Sequence, residues 1–173
     1  GSDSRIYWYA LDGQNFVLRS VQWEAGEWQP RSTGRLSELP ANRLPILYET
    51  PDQPGAIWVE PFSRGEVVMT ADPRRGILDY VQPLPGEAFA RQLSPDAAGT
   101  AEGAVYVWEE ELTGESHVLV QADPTLWRIN TVPFATQPRV ALSEDGVINI
   151  VFVSDAIDGG TGNVYFTTLS ASE

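Results

Sequence analysis

"VVMTADP" at residues 67–73 returns as "VLVQADP" at residues 118–124, fifty-one positions later. A catalytic motif used twice would have to converge on one site, whereas a building block laid down twice would be spread along a scaffold. The surrounding residues decide for the building block. Trp8, Trp58 and Trp108 fall at intervals of fifty, and Phe152 follows after forty-four. The next stretch keeps the same time, with Val17, Val67, Val118 and Val164 at intervals of 50, 51 and 46. Trp28, Ile77 and Trp127 mark a further element at intervals of 49 and 50. In three of the units another element precedes the anchor aromatic, as "LPILYETPDQPG" (44–55), "RQLSPDAAGTAEG" (91–103) and "QPRVALSEDG" (137–146), each running into a glycine turn.

The elements themselves read as strands. The 15 glycines and 13 prolines are scattered so that few stretches without either reach helical length, and apolar residues alternate or come in short blocks. Those blocks are "RIYWYAL" (5–11), "FVLRSVQW" (16–23), "AIWVEPF" (56–62), "EVVMTAD" (66–72), "AVYVWEEEL" (104–112), "HVLVQAD" (117–123), "VINIVFVSD" (147–155) and "NVYFTTL" (163–169). Four short antiparallel strands per period of about fifty residues is the make-up of one β-propeller blade. The fold class is therefore all-β, a run of propeller blades. Units are expected at about residues 5–36, 43–84, 91–134 and 137–170, within one domain spanning 5–173. The first unit lacks its leading strand and the last lacks its fourth, which makes roughly half of a ring of six to eight blades. Gly1-Ser2 reads as the remnant of a cleaved tag, with residues 1–4 a disordered start.

Within such a unit the anchor tryptophans are expected to pack between neighbouring blades. Ala71-Asp72-Pro73 and Ala122-Asp123-Pro124 are expected at the turn between the third and fourth strands of successive blades, where Asp accepts hydrogen bonds and Pro fixes the turn.

Composition narrows the partners. At 173 residues with 24 acidic and 11 basic side chains, the net charge of −13 repels phosphate backbones and anionic lipid surfaces. Nucleic acid and membrane insertion are excluded as expectations, the latter because no apolar run has the ~18 residues needed to span a bilayer. All basic residues are arginine, and the absence of cysteine excludes disulfides and cysteine-ligated metals.

The cadence of these units resembles the sialidase-like propellers built from bacterial neuraminidase repeats, whose hallmark is an Asp-box, Ser-x-Asp-x-Gly-x-x-Trp. Thr70-Ala71-Asp72 with Gly76 and Ile77 is the nearest match; "QADPTLW" (121–127) and "EAGEW" (24–28) are shortened versions. The resemblance covers most of the chain as a pattern. It implies an extracytoplasmic or cell-surface module, and its catalytic members use an arginine triad, a Tyr/Glu pair and an Asp. No residue of this chain is assigned to that set, so the expected function is a non-catalytic binding or scaffold module for protein or glycan. The alternative is a piece of a sialidase-like glycoside hydrolase.

Candidate site residues follow from residue type. Glu60 and Glu110 occupy equivalent places, with Glu109 and Glu111 beside the latter; paired carboxylates cleave glycosides at suitable separation, but recurring acids are expected to form a solvated rim. "SDAIDGGTGN" (154–163) offers Asp155, Asp158 and Asn163 as oxygen ligands for calcium, with no cofactor otherwise expected. Tyr9, Tyr48, Tyr80, Arg74 and Arg75 are candidates for an exposed ligand-binding face. His117, the single histidine, reads as a surface residue at a hairpin end. Self-association into a dimer that closes the ring is expected, because an arc leaves an apolar face bare at each end, with a four-bladed monomer closed by its own first and last units as the alternative.

Overall fold

The computed structural model describes residues 4–13, 15–31, 44–50, 54–62, 65–71, 81–99, 103–130, 132, 134–154 and 162–170. Among these, fourteen strands and no helix form four antiparallel sheets. The first holds β1 (Arg5–Asp12), β2 (Asn15–Glu24) and β3 (Glu27–Arg31). The second holds β4 (Ile46–Tyr48), β5 (Gly55–Phe62), β6 (Gly65–Ala71) and β7 (Val81–Pro83). The third holds β8 (Arg91–Gly99), β9 (Ala104–Leu112), β10 (Glu115–Ala122) and β11 (Thr125–Ile129), and the fourth β12 (Ala135–Leu142), β13 (Val147–Ser154) and β14 (Asn163–Ser170). Each sheet is a meander in chain order, so each is a propeller blade whose strands pair with their sequence neighbours. β8 packs against both β4 and β12, so the leading strands of blades 2 to 4 lie side by side at the inner edge.

The fifty-residue period is the period of inter-blade packing. Trp58 packs with Leu18, Tyr7 and Tyr9 of blade 1, while Trp108 packs with Val59, Val68 and Leu84 of blade 2. Phe152 packs with Val105, Val107, Val118 and Val120 of blade 3. Each anchor thus faces the blade before it, and Trp58 and Trp108 are 1% and 0% exposed. Trp8, at the same place in blade 1, has no preceding blade among the described residues and is 40% exposed. The expectation of a buried anchor therefore holds for two of the three tryptophans and fails at the open end, for want of a neighbour.

The leading strands carry matched irregularities. Ser94-Pro95 in β8 and Gln137-Pro138 in β12 each interrupt the register with a bulge, and Ser94 and Gln137 take positive φ values of 48° and 51°. The bulges let side chains reach across blades. Val140 N–H donates to Asp96 Oδ2 at 3.0 Å, tying blade 4 to blade 3, and Val68 N–H donates to Gln92 Oε1 at 2.8 Å, tying blade 2 to blade 3. Val68 needs that acceptor because the short β7 pairs only with Met69–Ala71.

Tyr48 is a correction. Expected on an exposed face, it is buried because β4 is an inner strand: its hydroxyl lies 3.0 Å from that of Tyr106 on β9, with the rings edge to face. Its ring fills the space a side chain at Gly55 would need, so only glycine fits there. Tyr9 is likewise half-buried against Trp58. Asp123-Pro124 forms the two-residue turn between β10 and β11, with Asp123 Oδ1 accepting from Gln121 Nε2 at 2.9 Å; Asp72, Pro73, Gly76 and Ile77 lie outside the described residues.

Candidate functional site

The β5–β6 and β9–β10 hairpins and the 84–90 connection between blades 2 and 3 converge at one end of the blades. A cavity of about 290 Å³ opens there, lined by Phe62, Val67, Leu84, Gly86, Phe89 and Gln92 among others. Its walls are apolar because they are the outer margin of the core shared by blades 2 and 3, and Leu84 belongs to both.

Glu110 fixes the connection that makes one wall. Its side chain is 1% exposed; Oε1 accepts from Arg128 Nη2 at 2.8 Å and Oε2 accepts from the Glu87 N–H at 2.8 Å. The same Arg128 nitrogen donates to Glu87 Oε1 at 2.6 Å. Burial works against the Arg128 charge, but Glu87 and Glu110 outweigh it and hold the guanidinium above its ordinary pKa. Gln92 completes the clasp, its Nε2 donating to Pro85 O at 2.9 Å. A Cβ at Gly86 would collide with the Gln92 amide and the Glu110 carboxylate, so a larger residue there would displace the two side chains that form the clasp.

The expected solvated rim of acids is overturned, since Glu60, Glu109 and Glu110 are all buried. The reason is their spacing from the anchors. Trp58 and Glu60, like Trp108 and Glu110, are two apart on a strand and share the face that meets the preceding blade. Glu60 Oε1 accepts from Trp58 Nε1 at 2.7 Å. Glu110 is instead taken up by Arg128 and Glu87, and the Trp108 indole N–H has no hydrogen-bond partner among the described residues. Glu109 faces the other way, toward blade 4. Glu60 thus accepts within blade 2, and Glu110 within blade 3 and from the 84–90 connection, so both are engaged as structural acceptors.

Burial pushes the Glu109 carboxyl above its ordinary pKa, offset in part by hydrogen bonds from the Gln137 backbone, Ser94 and Ser116. A carboxyl whose folded pKa is raised favours folding while it is protonated. That contribution is lost as pH rises from the ordinary glutamate range through the raised value. Glu109→Gln should therefore gain stability relative to the parent on going from about pH 4 to about pH 7; melting curves at both values check this, and a pH-independent difference would count against it.

The remaining candidates scatter. Arg74, Arg75, Tyr80, Asp155 and Asp158 lie outside the described residues. Asn163 opens β14 opposite Ser154 and is exposed. Among the described residues no group of three or more His, Asp or Glu is placed to hold a metal ion. His117 is the third residue of β10, half-buried, with Nε2 3.7 Å from Glu115 Oε2. Sequence reasoning missed Arg128, Glu87 and Gln92; the Trp-x-Glu spacing in blades 2 and 3 was the available signal that the acids turn inward.

No protein-family profile and no curated protein matches the chain. Solved structures do. The crystal structure of TolB from Acinetobacter baumannii superposes with a TM-score of 0.57 at 12% identity, over 95% of this chain and 41% of that one. An endo-arabinase from Bacteroides thetaiotaomicron gives a TM-score of 0.45 at 14% identity, over 99% of this chain and 77% of that one. The chain has a β-propeller fold and spans about two fifths of the TolB chain. Among the described residues no helix is long and apolar enough to cross a membrane.

Proposed function

We propose that the chain is a non-catalytic binding and scaffold module, acting outside the cytoplasm on a protein or glycan, whose ring is completed by a second copy. The exposure of Trp8 carries this reading. Its sheet face also presents Ile6, Trp23 and Trp28, all exposed, the last two edge to face at 5.3 Å. At the other end blade 4 presents Val151, Val164 and Phe166, exposed, in the register places that Val107, Val118 and Val120 fill in blade 3. Those blade 3 valines are the surface on which Phe152 packs. Blade 4 of one copy therefore offers blade 1 of another the same kind of contact that blade 3 offers blade 4. Two such junctions about a twofold axis would close a ring of about seven or eight blades.

Light scattering at micromolar concentration is expected to give ~38 kDa, twice the 19.0 kDa chain mass. Phe166→Glu should yield the monomer. A parent chain that stays monomeric across dilution would remove ring closure from the proposal, and turnover of any substrate in a panel of fluorogenic glycosides would remove its non-catalytic part.

A further inference from the structure

The open face of blade 1 carries a residue type that no other blade has at the same place. Trp8 stands opposite Arg19 in the β1–β2 register, where the other blades pair Trp58 with Met69, Trp108 with Leu119 and Phe152 with Tyr165. Cross-strand partners share a sheet face, so Arg19 lies beside Trp8 on the side that looks away from blade 2. Its neighbours Leu18 and Ser20 turn to the opposite side and are buried.

The equivalent residues all give apolar surface to the blade before them. Met69 packs with Leu18 of blade 1, Leu119 with Val59 and Val68 of blade 2, and Tyr165 with Val118 and Val120 of blade 3. Leu119 is left only 3% exposed by that contact, whereas Arg19 is exposed. Arg31, Arg91 and Arg128 each hold a carboxylate, but Arg19 makes no ion pair among the described residues.

The surface that comes against Arg19 on ring closure is blade 4 of a second copy. Since Tyr165 meets Val118 and Val120, Arg19 would meet their register equivalents, Val164 and Phe166. Nothing there answers a positive charge, because β13 and β14 contain no charged residue. Closure therefore takes a guanidinium out of water without giving it a carboxylate, and that opposes the apolar gain of the same contact. The aliphatic stem can lie along the sheet and carry the head toward the rim, which reduces the cost without removing it. We infer that Arg19 sets the strength of ring closure: by resisting burial it keeps the junction between two copies reversible, where a methionine or leucine, as in blades 2 and 3, would hold it shut. Open and closed forms then coexist over the micromolar range. This rests on the ring-closing reading above and adds to it the residue that controls the junction.

The test is sedimentation across a dilution series for the parent, Arg19→Met and Arg19→Lys. The parent is expected to be a dimer that dissociates on dilution. Arg19→Met places the residue of Met69 at the equivalent site, keeps an unbranched stem and removes the charge, so it should tighten the dimer at least about tenfold. Arg19→Lys keeps a compact, strongly hydrated charge and should be no tighter than the parent. Melting of the single chain separates association from folding: combined with Phe166→Glu, Arg19→Met should move the melting temperature by less than about 2 °C, because Arg19 is exposed there. A parent dimer that Arg19→Met leaves unchanged or loosens would overturn the inference and leave ring closure standing. Equal tightening by Arg19→Lys, or a large shift in the single chain's melting, would also overturn it, since the charge at the junction would not be the cause. A monomeric parent with a dimeric Arg19→Met would support the role of Arg19 while removing closure from the parent, and monomers throughout would overturn both.

Discussion

Trp108→Ala should destabilise the fold by about 3–5 kcal/mol, a third or more of the stability of an ordinary domain. The side chain is wholly buried and fills the space between blades 2 and 3, against Val59, Val68 and Leu84. The cavity left behind would be bordered by two sheets, each held by its own ladder, and neither collapses readily into the gap. Trp8→Ala, the same substitution at the same repeat position, should cost the folded arc less than about 1 kcal/mol, because the indole is exposed. Its effect should fall instead on the proposed association, where a dimer of ~38 kDa, if formed by the parent, should shift toward monomer. Conservative variants separate packing from polar chemistry. Trp108→Phe removes an indole N–H that has no partner among the described residues, so only volume is lost. Trp58→Phe also removes the donor to Glu60, and should cost about 1.5–3 kcal/mol more than Trp108→Phe, the range for hydrogen bonds to charged groups. Urea denaturation of the four variants checks the series. Equal losses at Trp8 and Trp108 would mean that the repeat position does not set inter-blade packing.

The series also marks where the sequence is readable. Trp58 and Trp108 keep the fifty-residue period because each makes the same contact with the blade before it, so the period and the three or four strands of each sheet among the described residues follow from spacing. The strand "AVYVWEEEL" coincides with β9 for the same reason. What escapes is whatever depends on a connection. Glu110 looks like a rim acid until the 84–90 link brings Glu87 N–H to it, and Arg128 is eighteen residues away on another strand. Tyr48 looks exposed because nothing local says that β4 is an inner strand lying against Tyr106. The cavity has no motif at all: it exists because the link passes over the blade junction as Gly86 and then turns left-handed at Phe89.

Glu110 is where the connection and the repeat meet, and its replacement should have the second large effect. Glu110→Ala removes the buried partner of Arg128 and the acceptor of the Glu87 N–H together. Breaking a buried ion pair costs about 3–5 kcal/mol when the remaining charge stays buried. Arg128 is one-third exposed and keeps Glu87, so its guanidinium can rehydrate, and the expected loss is lower, about 2–3 kcal/mol. Part of that loss belongs to the backbone donor rather than to the charge. The double variant Glu110→Leu with Arg128→Leu should therefore recover only a portion, since an apolar pair replaces the ion pair but offers the Glu87 N–H nothing. The unrecovered part should appear locally, as faster hydrogen exchange at the Glu87 and Ala90 amides, with β9 and β10 still protected. Full recovery by the double variant would mean that the ion pair alone carries the clasp. A loss in Glu110→Ala below about 1 kcal/mol would mean that the link is held by packing, and that the cavity beside it does not depend on this carboxylate.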